Sequence, residues 1–166
     1  MTPDPSSSYS RYTRVGSHRS VDSFRGHLHK LCPEVPVDNE ILRAPESPLA
    51  NDLEICGKTA SNRWMIQPME GWDGTTDGRP TDLVCRRWAR FGESGAKLVW
   101  GGEAVAVAPG GRANPNQLCI GPDSPGDLAE LRSVLVDAHV ERFGSAYDLL
   151  VGLQLTHSGR WAQPGG

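Results

Sequence analysis

From Asn62 onward the chain alternates short apolar runs with amphipathic stretches, and this alternation restricts the available folds more than any other feature. Residues 63–68 form a mainly apolar run that ends at a proline and gives way to a turn-rich segment, 71–80, which reads as a strand leaving into a long loop. A helix is predicted from Thr81 as N-cap, with Val84, Trp88 and Phe91 on one face and Gly92 as its stop. Residues 97–102 are a second apolar run, continued by 103–107 into a loop rich in Gly, Pro and Asn. A second helix is predicted from Ser124 as N-cap, with Pro125 at the first helical position, Asp127 as capping acid, the stripe Leu128, Leu131, Leu135 and Ala138, and Gly144 as its left-handed stop. Residues 147–155 are too continuously apolar for a half-exposed strand and read as a buried parallel one.

Strands alternating with helices imply a parallel sheet with right-handed crossovers, hence an α/β fold. Two architectures satisfy that pattern. A doubly wound sheet calls for a glycine-rich phosphate loop opening the first helix, and no such motif precedes Thr81. A partial (β/α)8 TIM barrel is therefore expected, comprising three strands and two helices with its polar, Gly- and Pro-rich loops after the strands. The 166 residues allow one compact domain and fall short of the roughly 250 of a complete barrel.

Residues 1–23 hold seven serines, two prolines and almost no aliphatic side chains, so a disordered tail is expected there. Pro33, Pro36, Pro45 and Pro48 argue against a long helix in 24–61 and point to an irregular extension with short strands near Leu53, Glu54 and Ile55. Composition narrows the partners. Seventeen Lys and Arg against twenty Asp and Glu give a net charge of −3, without the basic face that a duplex-binding protein requires. No nucleic acid is expected as partner. The absence of a long apolar run predicts no membrane span, and without a secretory leader a cytoplasmic location is expected. Cys32, Cys56, Cys85 and Cys119 match no zinc or redox spacing and are read as reduced thiols. His27, His29 and Cys32 offer metal-type donors without a fourth ligand and are read as polar residues on a short helix, so no metal is expected.

Four motifs in order carry a family resemblance. They are Asn62-Arg63 with Pro68-Met69; the loop 77–82, Asp-Gly-Arg-Pro-Thr-Asp; Gly102-Glu103-Ala104-Val105-Ala106-Val107 with Gly111-Arg112; and Gln154-Leu155-Thr156-His157-Ser158-Gly159-Arg160. Over residues 62–161 the chain resembles the old yellow enzyme family of FMN-dependent NADH:flavin oxidoreductases. The resemblance implies a flavin-binding barrel segment over 62–166, with FMN as cofactor, NAD(P)H as reductant and a small-molecule substrate. It implies that Gln67, Pro68, Met69 and Glu70 line the flavin from strand one, that Ala104 contacts the ring after strand two, and that Gln154 hydrogen-bonds the pyrimidine edge. The chemistry agrees with this. A carboxamide both donates and accepts, and Pro68, Met69 and Ala104 could form an apolar wall.

Trp72 falls where relatives carry an aromatic at the substrate side. His157 and Arg160 belong to the third-strand motif without an assigned role. Glu70 departs from the small thiol or hydroxyl residue of many relatives. An ionised carboxylate there would oppose the charge that the ring gains on reduction, so Glu70 is expected to be protonated, paired with a cation or turned toward substrate. The family's carbonyl-holding pair, proton donor and phosphate grip come later than Gly166, so no catalytic residue is assigned, and the 166 residues alone are expected to be inactive. The implied activity is hydride transfer from NAD(P)H through flavin to an activated alkene or similar acceptor. Amine-dehydrogenase-like chemistry and a truncated, non-catalytic fragment are the alternatives.

Overall fold

A computed structural model describes residues 13–31 and 34–165. They fall into two compact units that divide between Leu42 and Arg43. In the first, helix α1 (Val21–Leu31) follows a single 3-10 turn at Val15–Ser17. Ser20 Oγ accepts from the Ser23 amide at 3.1 Å, which satisfies one of the helix's orphan N–H groups. This helix crosses the sequence-based boundary at 23/24, because the prolines thought to exclude helix begin only after it. His27 and His29 lie on it, whereas Cys32 and the first twelve residues of the expected tail lie outside the described residues. Among the described residues no group of three His, Cys, Asp or Glu side chains could hold a metal ion, and no helix is long and apolar enough to cross a membrane. Cys56, Cys85 and Cys119 are free thiols.

The second unit opens with an antiparallel hairpin, β1 (Leu53–Ile55) and β2 (Lys58–Ala60), turned by Cys56 and Gly57 at φ 50° and 74°. Two successive left-handed residues give the twist that a two-residue hairpin needs. The hairpin falls within the unit that begins at Arg43. Then follow β3 (Met65–Ile66), α2 (Asp82–Glu93), β4 (Leu98–Ala106), α3 (Ser124–Phe143) and β5 (Leu150–Thr156). The three strands form one parallel sheet in the order β3-β4-β5, so the class is α/β as the alternation predicts.

One face of the sheet is covered by the two helices. Val99 and Val105 of β4 pack against Val84 and Trp88 of α2 and Leu131 and Leu135 of α3, with Leu118 closing the cluster. At about 25 cal/mol per Å2 of apolar surface removed from water, this contiguous cluster is the unit's main source of stability. The α3 stripe continues as His139, not Ala138: the imidazole is fully buried, and a 3.6-residue period reaches 139 as readily as 138. Strand β5 is half-exposed, contrary to the buried strand inferred from its apolar run, because it is an edge strand with β4 on one side only.

Two caps also differ from expectation. Gly92 does not stop α2. The helix runs on to Glu93, and Gly92 is where α3 approaches so closely that a Cβ would strike the Leu135 carbonyl oxygen. Ser124 is the first residue of α3 and not its N-cap. Its hydroxyl accepts from the Gly121 amide at 2.7 Å, while Asp127 pairs with Arg79 at 2.8 Å. Gly144, at φ 80°, is the left-handed C-cap predicted for it.

The amino-terminal ends of the strands are joined by polar side chains. Asn62 Oδ1 accepts from the Trp64 and Lys97 amides, and its Nδ2 donates to the Gly95 carbonyl. Lys97 Nζ donates to Asp148 Oδ1 at 2.9 Å and to His139 Nε2 at 3.0 Å, while His139 Nδ1 donates to the Gly92 carbonyl at 2.8 Å. That arrangement fixes the imidazole tautomer, with its proton on Nδ1, and gives every buried polar atom of the His139 side chain a partner.

Candidate functional site at the carboxyl ends of the strands

Strand β4 is long because it is irregular. Its pairing with β5 slips between Trp100 and Ala104, and Gly101 takes φ 55° in the bulge. A Cβ on Gly101 would lie 2.5 Å from the Glu103 carbonyl oxygen and 2.6 Å from the Gln154 nitrogen, so only glycine permits this close passage. The bulge has two consequences. It turns Glu103 toward α2, and it restores register so that Ala104 sits opposite Gln154. The Ala104 amide in turn donates to the Met69 carbonyl at 2.9 Å. Backbone bonding and strand register therefore bring Met69, Ala104 and Gln154 side by side at the carboxyl end of the sheet.

Of the residues singled out from sequence, Met69, Glu70, Gln67, Gln154 and Trp72 are exposed and Pro68 is half-buried. Ala104 is only 2% exposed, so it lies beneath its exposed neighbours Met69 and Gln154. Its carbonyl accepts from Gln117 Nε2 at 2.8 Å. Gln67 Nε2 lies 3.3 Å from the Met65 sulfur, on the sheet face away from the helices. The Glu70 carboxylate has no ion-pair partner among the described residues. Trp72 is 68% exposed on the loop after β3. His157 Nδ1 accepts from the Gly159 amide while its ring packs against Gly111 of the loop after β4, and the Arg160 guanidinium lies over the Trp161 ring at 5.1 Å.

The loops that carry these residues are held by side chains that the sequence reading did not single out as site residues. Glu103 is fully buried; its Oε1 accepts from the Gly71 amide at 2.6 Å and its Oε2 pairs with Arg87 at 2.7 Å. Burial pushes the Glu103 carboxyl above its ordinary pKa, and the Arg87 charge and the Gly71 N–H offset this in part. Arg87 also forks onto Asp73 through Nε and an Nη, at 3.3 and 2.7 Å, and donates to the Gly102 carbonyl at 3.1 Å. Gln117, fully buried, accepts from the Ala113 amide and reaches Thr156 Oγ1, joining the β4 loop to β5. Asn114 Nδ2 donates to the Gly71 carbonyl, and Arg112 donates to the carbonyls of Thr76 and Pro115. Glu103 did leave a signal: a carboxylate inside an apolar strand implies a cation on the covering helix. Arg87 left none, since one arginine among three on α2 looks like solvated surface.

No family model matches the sequence, and no curated protein matches it. Among solved structures 70 chains match, and the most similar include old yellow enzymes. The old yellow enzyme of Trypanosoma cruzi is 28% identical, with a TM-score of 0.53, over 70% of this chain and 29% of that one. The old yellow enzyme of a Pichia species is 21% identical, with a TM-score of 0.54, over 72% and 28%. Morphinone reductase is 23% identical, with a TM-score of 0.51, over 69% and 28%. The chain resembles the old yellow enzymes over about 70% of its length and spans under a third of theirs.

Proposed function

We propose that β3–α2–β4–α3–β5 is part of a (β/α)8 barrel of the old yellow enzyme type and forms one edge of an FMN site in an oxidoreductase. The observation that carries this reading is the meeting of Met69, Ala104 and Gln154 at the ends of three adjacent parallel strands. The residues fit the group. Two exposed carboxamides, Gln67 and Gln154, offer donors and acceptors to a heterocycle edge that alternates both, while Pro68 and Met69 offer apolar surface to its face. Glu103, the one fully buried carboxylate here, is turned to Arg87, which keeps its charge away from the cleft.

On this reading Gln67, Pro68, Met69, Glu70 and Gln154 contact the flavin, Ala104 supports them from below, and Trp72 stands at the substrate side. Bound FMN supplies hydride transfer from NAD(P)H to a small acceptor, an activated alkene being the leading candidate. The chain's own part is to bind and orient. None of its residues is assigned as catalytic acid, so flavin binding, not turnover, is the property to measure.

The test is an NMR titration of the 166-residue chain with FMN to millimolar concentration. Saturable shifts at the Met69, Ala104 and Gln154 amides, with α3 amides unmoved, are expected, and Gln154→Leu should weaken them. Unmoved strand-end amides, or equal shifts with ATP as the added nucleotide, would refute the reading.

A further inference from the structure

We propose that Arg87, on the covering helix and outside the cleft, is a positioning residue that sets the turn after β3; its bearing on the cofactor rests on the flavin reading above. The turn from Met69 to Asp73 carries two of the candidate contacts and the exposed Trp72, yet it has little regular structure of its own. Asn114 Nδ2 holds the Gly71 carbonyl and Thr81 Oγ1 the Asp73 carbonyl, and three further contacts tie the turn to β4 and α2. The Met69 carbonyl accepts from the Ala104 amide, the Gly71 amide donates to Glu103, and the Asp73 carboxylate accepts the fork of Arg87. The last two share one guanidinium, because Arg87 Nη2 is 2.7 Å from both Asp73 Oδ1 and Glu103 Oε2. The remaining Nη donates to the Gly102 carbonyl in the β4 bulge. One side chain therefore joins helix, bulge and turn.

Packing around Gly71 shows how tightly this joint is built. A Cβ at Gly71 would fall 2.6 Å from Glu103 Oε1, 2.7 Å from Asp73 Oδ1 and 2.8 Å from Arg87 Nη2. The turn's backbone is pressed onto the charged cluster with no room for a side chain. Two carboxylates around one half-buried guanidinium stay together only while one planar group serves both, through a hydrogen-bonded fork onto Asp73 and an ion pair to Glu103, which a lysine ammonium on a flexible stem cannot do. Loss of the fork leaves Glu103 buried beside Asp73, and the two repel. The turn, not the core, is where that repulsion can relax, since Glu103 and Arg87 sit in regular elements and Asp73 does not.

The test uses the 166-residue chain with Arg87→Lys, and Glu103→Gln as a second variant should the first fail to fold. Amide exchange is followed at Gly71 and, for the scaffold, at Leu131 and Leu135 of α3. Exchange at Gly71 should rise about tenfold or more, the size of a lost charge-assisted hydrogen bond, with α3 unchanged, and the apparent Kd for FMN should rise about as much. Equal acceleration at Gly71 and α3, unchanged exchange at Gly71, or a loosened turn with FMN affinity intact would each overturn the proposal. A wild-type chain that does not bind FMN would instead overturn the flavin reading, and the exchange data would still decide whether Arg87 positions the turn.

Discussion

Replacing Gly92 by Ala reverses the usual sign of a helical Gly→Ala change. In an open helix interior alanine is favoured by about 1 kcal/mol. Here the added methyl would point at α3, far inside contact distance of the Leu135 carbonyl oxygen and 3.1 Å from the His139 nitrogen. These are backbone atoms and cannot rotate away, so α2 and α3 must separate by roughly 1 Å, enough to forfeit a quarter to a half of each dispersion well along the seam. The seam holds Val84, Trp88, Leu131 and Leu135, the centre of the core. The separation also strains the bond from His139 Nδ1 to the Gly92 carbonyl, worth about 1 kcal/mol. Overpacking costs of about 1–3 kcal/mol are usual, so with the strained bond and against the propensity gain a net loss of about 2 kcal/mol is expected. In urea, where m for a small protein is about 1–3 kcal/mol/M, the midpoint should fall by about 1 M at unchanged m. Gly126→Ala is the control, because that position in the first turn of α3 has open space around it. It should be neutral or slightly stabilising. A Gly92→Ala protein as stable as the control would refute the close-packed seam.

Three further outcomes follow from the polar network. Burial raises the Asp148 pKa, but hydrogen bonds from Lys97 and Ser61 outweigh this and hold it below the usual carboxylate value. Its stabilising contribution is therefore present above the unfolded-state pKa and lost as pH falls through the lower folded one. Asp148→Asn should flatten the acid limb of a stability-versus-pH profile measured by urea melts, and an acid limb as steep as wild type would contradict the pairing. Glu103 has the opposite sign, since its raised pKa gives a contribution present at low pH and lost as pH rises through the folded value. Gln117→Leu strands the Ala113 amide and the Ala104 carbonyl, at a cost of about 2–4 kcal/mol. Limited proteolysis should then cut first between residues 107 and 119; a cleavage pattern like that of wild type would argue against a tethering role.

Much of the fold was legible in the sequence because it is written in local terms. Apolar runs against amphipathic stretches gave three strands and two helices in their order, and Gly144 marked its helix end by the conformation it alone adopts without strain. The motifs around Met69, Ala104 and Gln154 fall on segments that the sheet brings side by side. Local pattern could not tell that Gly92 serves a helix crossing and not a helix end, since both ask only for a missing Cβ. Nor could it tell that β5 would lie at an edge, because an apolar run looks the same with one neighbour or two.

Sequence alone determined the α/β alternation and the set of polar groups at the strand ends, since both depend on residue type and spacing within a few positions. Tertiary structure decided which of those groups stay exposed at the strand ends and which hold the loops together. Ala104 went beneath the surface, and Arg87, Asp73 and Glu103 came from a helix, a loop and a strand to share one charge cluster, of which Glu103 is the fully buried member. Such a cluster requires charges to compensate each other through space, and nothing in the chain order records who the partners are until the bulge in β4 turns Glu103 toward the helix.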